Sequence, residues 1–112
     1  HALETIGNNK LYTHGEAVAL GMLAATKLSE SISDLDPKVF DRVHSTIKNT
    51  GIKVKLKKKI FPKKLIKLMQ SDKKKNNSQL KFILLEKIGK AKIKRVSNEV
   101  TIENAIKNSL FY

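Results

Sequence analysis

Of the three histidines in the chain, His1 and His14 lie where they could do chemistry. His14 directly precedes Gly15 and Glu16 at the predicted start of a long apolar helix. The positive end of a helix disfavours imidazolium, so a histidine there suits the neutral form that binds metal. The alternative is an ordinary turn or capping histidine, which spacing alone favours over a metal ligand. His44 lies in the middle of a predicted helix and is assigned no function.

A complete metal site is not visible in the sequence. Zinc takes three or four ligands, and the chain lacks the His-Glu-x-x-His spacing that places two histidines on one helical face. His1 and His14 could line one cavity across a glycine-bearing turn. Glu4 and Glu16 could complete the ligand set, but Glu4 could equally orient the ring of His1 as a hydrogen-bond partner. We therefore expect a partial site that needs residues from elsewhere.

The composition is typical of one modest soluble domain. Of the 112 residues, 40% are hydrophobic. The chain has 23 Lys and Arg residues and 10 Asp and Glu residues, which gives a formal net charge of +13. No apolar run approaches the roughly 20 residues that span a bilayer, and no signal peptide is evident. We therefore expect a cytoplasmic protein with no membrane partner. The lack of cysteine excludes disulfide scaffolds, thiolate zinc sites and cysteine nucleophiles.

The positive charge is almost entirely lysine. Arg42 and Arg95 are the two arginines of the sequence, although the arginine fork is what suits base reading and phosphate clamping. Eleven lysines fall between Lys53 and Lys75, interleaved with apolar residues, which indicates solvated faces of ordinary elements. We expect no specific nucleic-acid partner. The alternative is a basic helical module that binds nucleic acid, and such binding would weaken steeply as salt rises.

The elements that position these residues are predicted to be mainly helical. Apolar spacing predicts helices over about residues 1–6, 15–29, 37–50, 61–70 and 101–110. Asp36 and Pro37 mark the start of the third helix, Gly51 its left-handed end, and Thr101 the cap of the last helix. Alternating apolar residues predict a β-hairpin over about 80–94 with its turn at 86–89, after a loop over 71–78. The predicted class is mainly α with one small β-hairpin, a single domain over residues 1–112.

The second helix is predicted to be central, because it is apolar on most sides and its flank of Val18 and Met22 continues that apolar surface. Gly15 and Gly21 each cost about 1 kcal/mol relative to alanine within a helix. Such a cost is understandable where backbone or a ligand must approach closely.

Three stretches of the sequence together resemble one enzyme family. Residues 1–4 (His-Ala-Leu-Glu) and 12–22 (Tyr-Thr-His-Gly-Glu-Ala-Val-Ala-Leu-Gly-Met) look like the paired signature of 3-dehydroquinate synthases. Residues 68–74 are similar to the Met-x-x-Asp-Lys-Lys segment of that family, and residues 80–85 and 88–91 continue the match. The resemblance covers nearly the whole chain in order and spacing.

The resemblance implies the C-terminal, mostly helical domain of a sugar-phosphate cyclase, which binds metal and substrate, with the NAD-binding domain absent from this chain. The family converts 3-deoxy-D-arabino-heptulosonate 7-phosphate to 3-dehydroquinate and phosphate in the shikimate route to aromatic amino acids. It is a carbon–oxygen lyase that uses NAD for a transient oxidation and zinc, or cobalt in its place, as a Lewis acid. The resemblance also implies a homodimer for the full-length enzyme.

The resemblance also implies roles for individual residues. His14 matches a zinc ligand, His1 an active-site histidine near the substrate, and Lys73 a lysine that contacts the substrate. A lysine ammonium offers three donors and a point charge to an anionic sugar. The other zinc ligands and the NAD-binding residues would precede His1, so no residue here is assigned to the cofactor. We expect the fragment alone to be inactive and to bind zinc weakly.

Two enzymatic alternatives belong to the same superfamily. Another sugar-phosphate cyclase, for instance one that makes a deoxy-inosose or a valiolone, would apply the same metal and NAD chemistry to a different substrate. The iron-dependent alcohol and glycerol dehydrogenases share the architecture. The His-Gly-Glu-Ala-Val-Ala block at residues 14–19 and the Asp-Lys-Lys segment at 72–74 favour the cyclase.

Overall fold

The computed structural model describes residues 1–57, 60–75 and 80–110, with the backbone alone for residues 73–75. Within these residues the elements follow the order α1 (Ala2–Ile6), α2 (His14–Ile32), α3 (Pro37–Asn49), α4 (Pro62–Lys75), β1 (Lys81–Lys87), β2 (Lys90–Arg95) and α5 (Glu99–Leu110). The predicted class, mainly α with one small β-hairpin, is confirmed. No helix in this described part of the chain combines the length and apolarity needed to cross a membrane.

The core forms around α2, which packs against α1, α3, α5 and β1. Leu20, Leu23 and Leu28 of α2 are buried together with Leu84 of β1 and Ile102 of α5. Full burial of one such side chain contributes about 1.5–3 kcal/mol relative to exposure. The predicted central position of α2 is therefore confirmed, and its apolar side chains hold the other elements around it.

One flank of α2 nevertheless faces open space. Val18 and Met22 are 46% and 52% exposed, so the apolar surface that continues along this flank is not buried at these two positions. A Cβ added to Gly15 or Gly21 would meet no atom within 4 Å. No packing contact in the described residues therefore requires glycine at either position.

The boundaries of α3 are those predicted. The Oδ1 atom of Asp36 accepts a hydrogen bond from the backbone N–H of Lys38 at 3.0 Å, and Pro37 occupies the first helical position. Gly51 follows the end of the helix with φ at +92°. This left-handed backbone favours glycine and closes the helix as the sequence predicts.

The start of α5 differs from the prediction. Asn98, not Thr101, is the cap, because its Oδ1 accepts hydrogen bonds from the backbone N–H groups of Val100 and Thr101 at 3.0 and 3.2 Å. Asparagine caps helices at least as well as threonine, and Glu99 then lies in the first turn where a negative charge is favoured. Thr101 consequently lies inside the helix.

The helix α4 is longer than predicted. It continues through residues 71–75, so the expected loop is wrong over that part. Lysine is a good helix former and no glycine or proline interrupts these residues, which explains the extension. Residues 76–78 of the predicted loop lie outside the described residues.

The two strands pair antiparallel as predicted, in a register that places Ile83 opposite Ile93. The turn occupies residues 88 and 89, rather than the whole of 86–89, because β1 continues to Lys87. Gly89 has φ at +88°, a backbone conformation that favours glycine.

The hairpin is anchored to α2 by one buried hydroxyl. The Oγ atom of Ser29 accepts a hydrogen bond from the backbone N–H of Leu85 at 2.9 Å and donates one to the carbonyl of Ala25 at 2.7 Å. A buried backbone N–H is costly without a partner, so this contact fixes where β1 lies on α2.

Candidate functional site

A tight turn brings His1 and the start of α2 to one corner of the molecule. Asn8 and Asn9 have φ at +51° and +60°, a left-handed backbone that asparagine tolerates. A Cβ on Gly7 would lie 2.5 Å from the Cβ atom of Leu11, so only glycine fits there.

Tyr12 is buried and fixes the end of the turn. Its hydroxyl accepts a hydrogen bond at 3.0 Å from the backbone N–H of Lys57, which lies between α3 and α4.

His14 is the first residue of α2, and its ring pairs with a carboxylate of α1. The Nδ1 atom lies 3.2 Å from Oε1 of Glu4, while the side chain of His14 is 80% exposed. Thr13 and Glu16 form a capping box that fixes the first turn of the helix. In the described part of the chain, Nε2 of His14 has no hydrogen-bond partner. A carboxylate on one ring nitrogen with the other left open is how proteins orient a metal-binding histidine.

His1 pairs with a different carboxylate. Its Nδ1 atom lies 2.5 Å from Oδ2 of Asp72, near the end of α4, and α1 packs against α4. The interpretation that Glu4 orients His1 is therefore wrong. The tight turn brings His14 within reach of Glu4 instead, and Asp72 takes the place beside His1.

Glu16 is engaged away from the two histidines. Its carboxylate accepts hydrogen bonds from the backbone N–H of Thr13 at 2.9 Å and from Nζ of Lys57 at 3.2 Å. These contacts, with the Thr13 backbone bond first and the Lys57 ammonium second, hold the pKa of the Glu16 carboxyl below its ordinary value. The suggestion that Glu16 completes a ligand set with His14 is therefore wrong, since this carboxylate caps α2 and pairs with lysine.

Lys73, the predicted substrate-contacting lysine, directly follows Asp72 in α4. Its side chain lies outside the described residues, so its contact with substrate stays a prediction. Lys73 is therefore the sequence neighbour of Asp72, whose carboxylate contacts His1.

A cavity of about 280 Å³ opens beside the pair of His1 and Asp72. Most of its wall is apolar, with Gly21 among the α2 residues that line it, and Lys81 of β1 adds a cation. The sequence reasoning did not single out Asp72 or Lys81 as site residues. Asp72 belongs to the Asp-Lys-Lys segment, but it is 71 positions from His1, so no local pattern indicates their contact.

The sequence also matches a known protein family. The family described as "3-dehydroquinate synthase C-terminal" matches residues 1–75, a range that includes both histidines, both of their carboxylate partners and Lys73. The chain belongs to this family. The resemblance that the motifs indicate is thereby confirmed.

Individual relatives give the same result as the 3-dehydroquinate synthase C-terminal family. The 3-dehydroquinate synthase of Clostridium tetani is 38% identical over 110 residues, which are 98% of this chain and 29% of that protein. The enzyme of the same name from Legionella pneumophila is 37% identical over 108 residues, 96% of this chain and 29% of its own length. The 3-dehydroquinate synthase of Thermoanaerobacter pseudethanolicus is 34% identical over 99 residues, which are 88% of this chain and 28% of that protein. The chain thus spans less than a third of the length of these curated relatives.

The resemblance to 3-dehydroquinate synthases implies zinc, and the described residues fit zinc in part. His14 offers Nε2 with Glu4 behind the ring, the donor chemistry of one zinc ligand. Among residues 1–57, 60–72 and 80–110, no three His, Asp or Glu side chains are grouped so as to hold a metal ion. Further ligands would therefore come from outside these residues.

The described residues do not fit NAD. A dinucleotide site needs a glycine-rich turn between a strand and a helix. The one described connection of that kind, between β2 and α5, is Val-Ser-Asn at residues 96–98.

Proposed function

We propose that this chain is the C-terminal, metal- and substrate-binding part of a 3-dehydroquinate synthase, preceded in the longer polypeptide by an NAD-binding domain. The enzyme is a carbon–oxygen lyase that converts 3-deoxy-D-arabino-heptulosonate 7-phosphate to 3-dehydroquinate and phosphate in the shikimate pathway, with NAD and zinc. The family match over residues 1–75 and the names of the relatives support this proposal. By the same resemblance the enzyme is a cytoplasmic homodimer.

The single observation that carries the proposal is the corner where His14 and His1 each hold a carboxylate on Nδ1. In this arrangement Glu4 orients the ring of His14, and Nε2 of His14 is the atom that holds the metal. When bound, zinc supplies Lewis-acid polarisation of a substrate oxygen.

His1 and Lys73 are proposed to bind the substrate. The ring of His1 is 76% exposed and offers Nε2 to the hydrogen of a substrate hydroxyl, since Nδ1 is occupied by Asp72. Lys73 supplies a cation with three N–H donors to the anionic groups of the sugar phosphate. The substrate is therefore bound at the polar rim that His1 and Asp72 form, not in the apolar depth of the cavity beside them.

Phosphate release from the heptulosonate 7-phosphate by the full-length protein, supplied with NAD and zinc, tests the proposal. His14→Ala should lower the rate at least about 10-fold, because loss of a direct ligand costs no less than loss of a residue that supports one. His44→Ala is the matched control, since His44 lies on α3 beside the ring of Phe40 and away from the corner. It should leave the rate within about twofold of the parent.

Two outcomes would contradict the proposal. An unchanged rate in His14→Ala would remove the metal role of this histidine. No phosphate release by a folded protein that binds NAD and zinc would reassign the chain to a sister cyclase with another sugar phosphate. The basic nucleic-acid-binding alternative is not favoured by the family match.

A further inference from the structure

The contact between His1 and Asp72 joins two elements that are far apart in sequence. Asp72 lies near the end of α4, 71 positions from His1, and the two side chains meet at 2.5 Å. The histidine and aspartate side chains are 76% and 40% exposed. Exposed pairs of this kind contribute at most about 1 kcal/mol to stability. The contact therefore has little weight in holding the fold together.

The contact matters more for the position of the proton on the His1 ring than for stability. A carboxylate that accepts from Nδ1–H fixes the proton of the neutral ring on Nδ1 and leaves a lone pair on Nε2. Glu4, the nearest carboxylate on α1, is already taken by His14 at 3.2 Å. Among the described residues, Asp72 is thus the acidic side chain that contacts the ring of His1.

We propose that Asp72 is a positioning residue, which holds His1 as the Nδ1–H tautomer with Nε2 available to a substrate hydrogen. This inference rests on the proposed function for the substrate and goes beyond it in the role of Asp72. It also explains the use of α4, because this helix carries Lys73 next to Asp72 in sequence. Docking of α4 on α1 then orients the ring of His1.

The tautomer is measured on the full-length protein, independently of any activity. Ring nitrogen chemical shifts of His1, recorded by NMR at a pH where the ring is neutral, should show Nδ1 protonated and Nε2 unprotonated. Asp72→Ala should shift both nitrogens toward a mixture of tautomers. Asp41→Ala is the matched control, because Asp41 is exposed on α3 and has no partner in the described part of the chain. Identical His1 shifts in the parent and in Asp72→Ala would overturn the inference.

The kinetic arm uses the full-length protein and Asp72→Asn. An amide at this position has an N–H as well as an oxygen, so it permits the opposite tautomer without changing the size of the side chain. We expect kcat to fall about 10- to 100-fold, the usual cost of losing a residue that orients a site histidine. Bound zinc should change less than about twofold, because Asp72 touches neither His14 nor Glu4.

The two arms separate failure of this inference from failure of the proposed function. A parent enzyme that releases no phosphate contradicts the proposed function, while the ring shifts still test Asp72. An active parent whose Asp72→Asn variant keeps the same kcat contradicts the role of Asp72 alone. Loss of zinc together with activity in this variant would also contradict it, since Asp72 would then support the metal rather than His1.

Discussion

The first turn of α2 and its later turns lie in very different surroundings. In the first turn, His14 is 80% exposed and pairs with Glu4. In the later turns, Leu23 and Ser29 are fully buried against the rest of the core. An exposed pair contributes at most about 1 kcal/mol, whereas truncation of a buried leucine costs about 2–5 kcal/mol. One helix thus carries the proposed chemistry at its exposed end and holds the fold with its buried part.

The largest effect on the fold is expected from Leu23→Ala. Leu23 has 0% of its surface exposed, so the substitution leaves a cavity in the core. The free energy of unfolding should fall by about 2–5 kcal/mol. Urea unfolding of the chain measures this fall. Val18→Ala on the exposed flank of the same helix should cost less than about 1 kcal/mol. Equal losses in the two variants would erase the distinction between the buried and exposed parts of α2.

Ser29→Ala should have the next largest effect. Without the hydroxyl, the backbone N–H of Leu85 loses its hydrogen bond, and a buried donor left without a partner costs about 1–3 kcal/mol. Urea unfolding gives the total, and faster hydrogen exchange of the Leu85 amide would locate it. Ser31→Ala is the control, since Ser31 is exposed two residues further along α2. A Leu85 amide that exchanges at the parental rate would show that Ser29 does not anchor the hairpin.

The smallest effect is a pH dependence from the first turn. The pKa of Glu16 is lowered in the folded chain, first by its hydrogen bond with the Thr13 backbone and then by Lys57. Its stabilisation is therefore full above the ordinary glutamate pKa of about 4.3, and it is lost as the pH falls through the lower folded value. The difference in unfolding free energy between the parent and Glu16→Gln should shrink as the pH is lowered from 6 to 3. A difference that stays constant over this range would remove Glu16 from the titration.

The fold was largely predictable, because the patterns that carry it are local. Asp36, Pro37 and Gly51 bound α3 through interactions within a few residues of the chain, and alternating side chains predict the hairpin. The failures lie at the boundaries of elements. Asn98 and Thr101 are both competent caps, and the choice depends on where α5 packs. The polar residues 71–75 carry no periodic apolar signal, so the apolar spacing that predicts the other helices does not extend to them.

The residues of the candidate site were predictable only where they belong to a family motif. His1, His14 and Lys73 follow from the family resemblance. The partners of the histidines do not, because a hydrogen bond such as that between His1 and Asp72 depends on how α4 docks on α1. Spacing along α1 even favours Glu4 for His1, whereas the turn after Gly7 directs Glu4 to His14. Side-chain partners across elements require the tertiary structure.

The central claim is that the corner formed by α1 and the start of α2 binds the metal of a 3-dehydroquinate synthase. The most direct test is the zinc content of the purified full-length protein, measured for the parent, His14→Ala and His44→Ala alongside urea unfolding. We expect about one zinc per chain in the parent and in His44→Ala, and a loss of most of it in His14→Ala, with unfolding of the zinc-free proteins changed by less than about 1 kcal/mol. A His14→Ala protein that retains the parental zinc content would contradict the account.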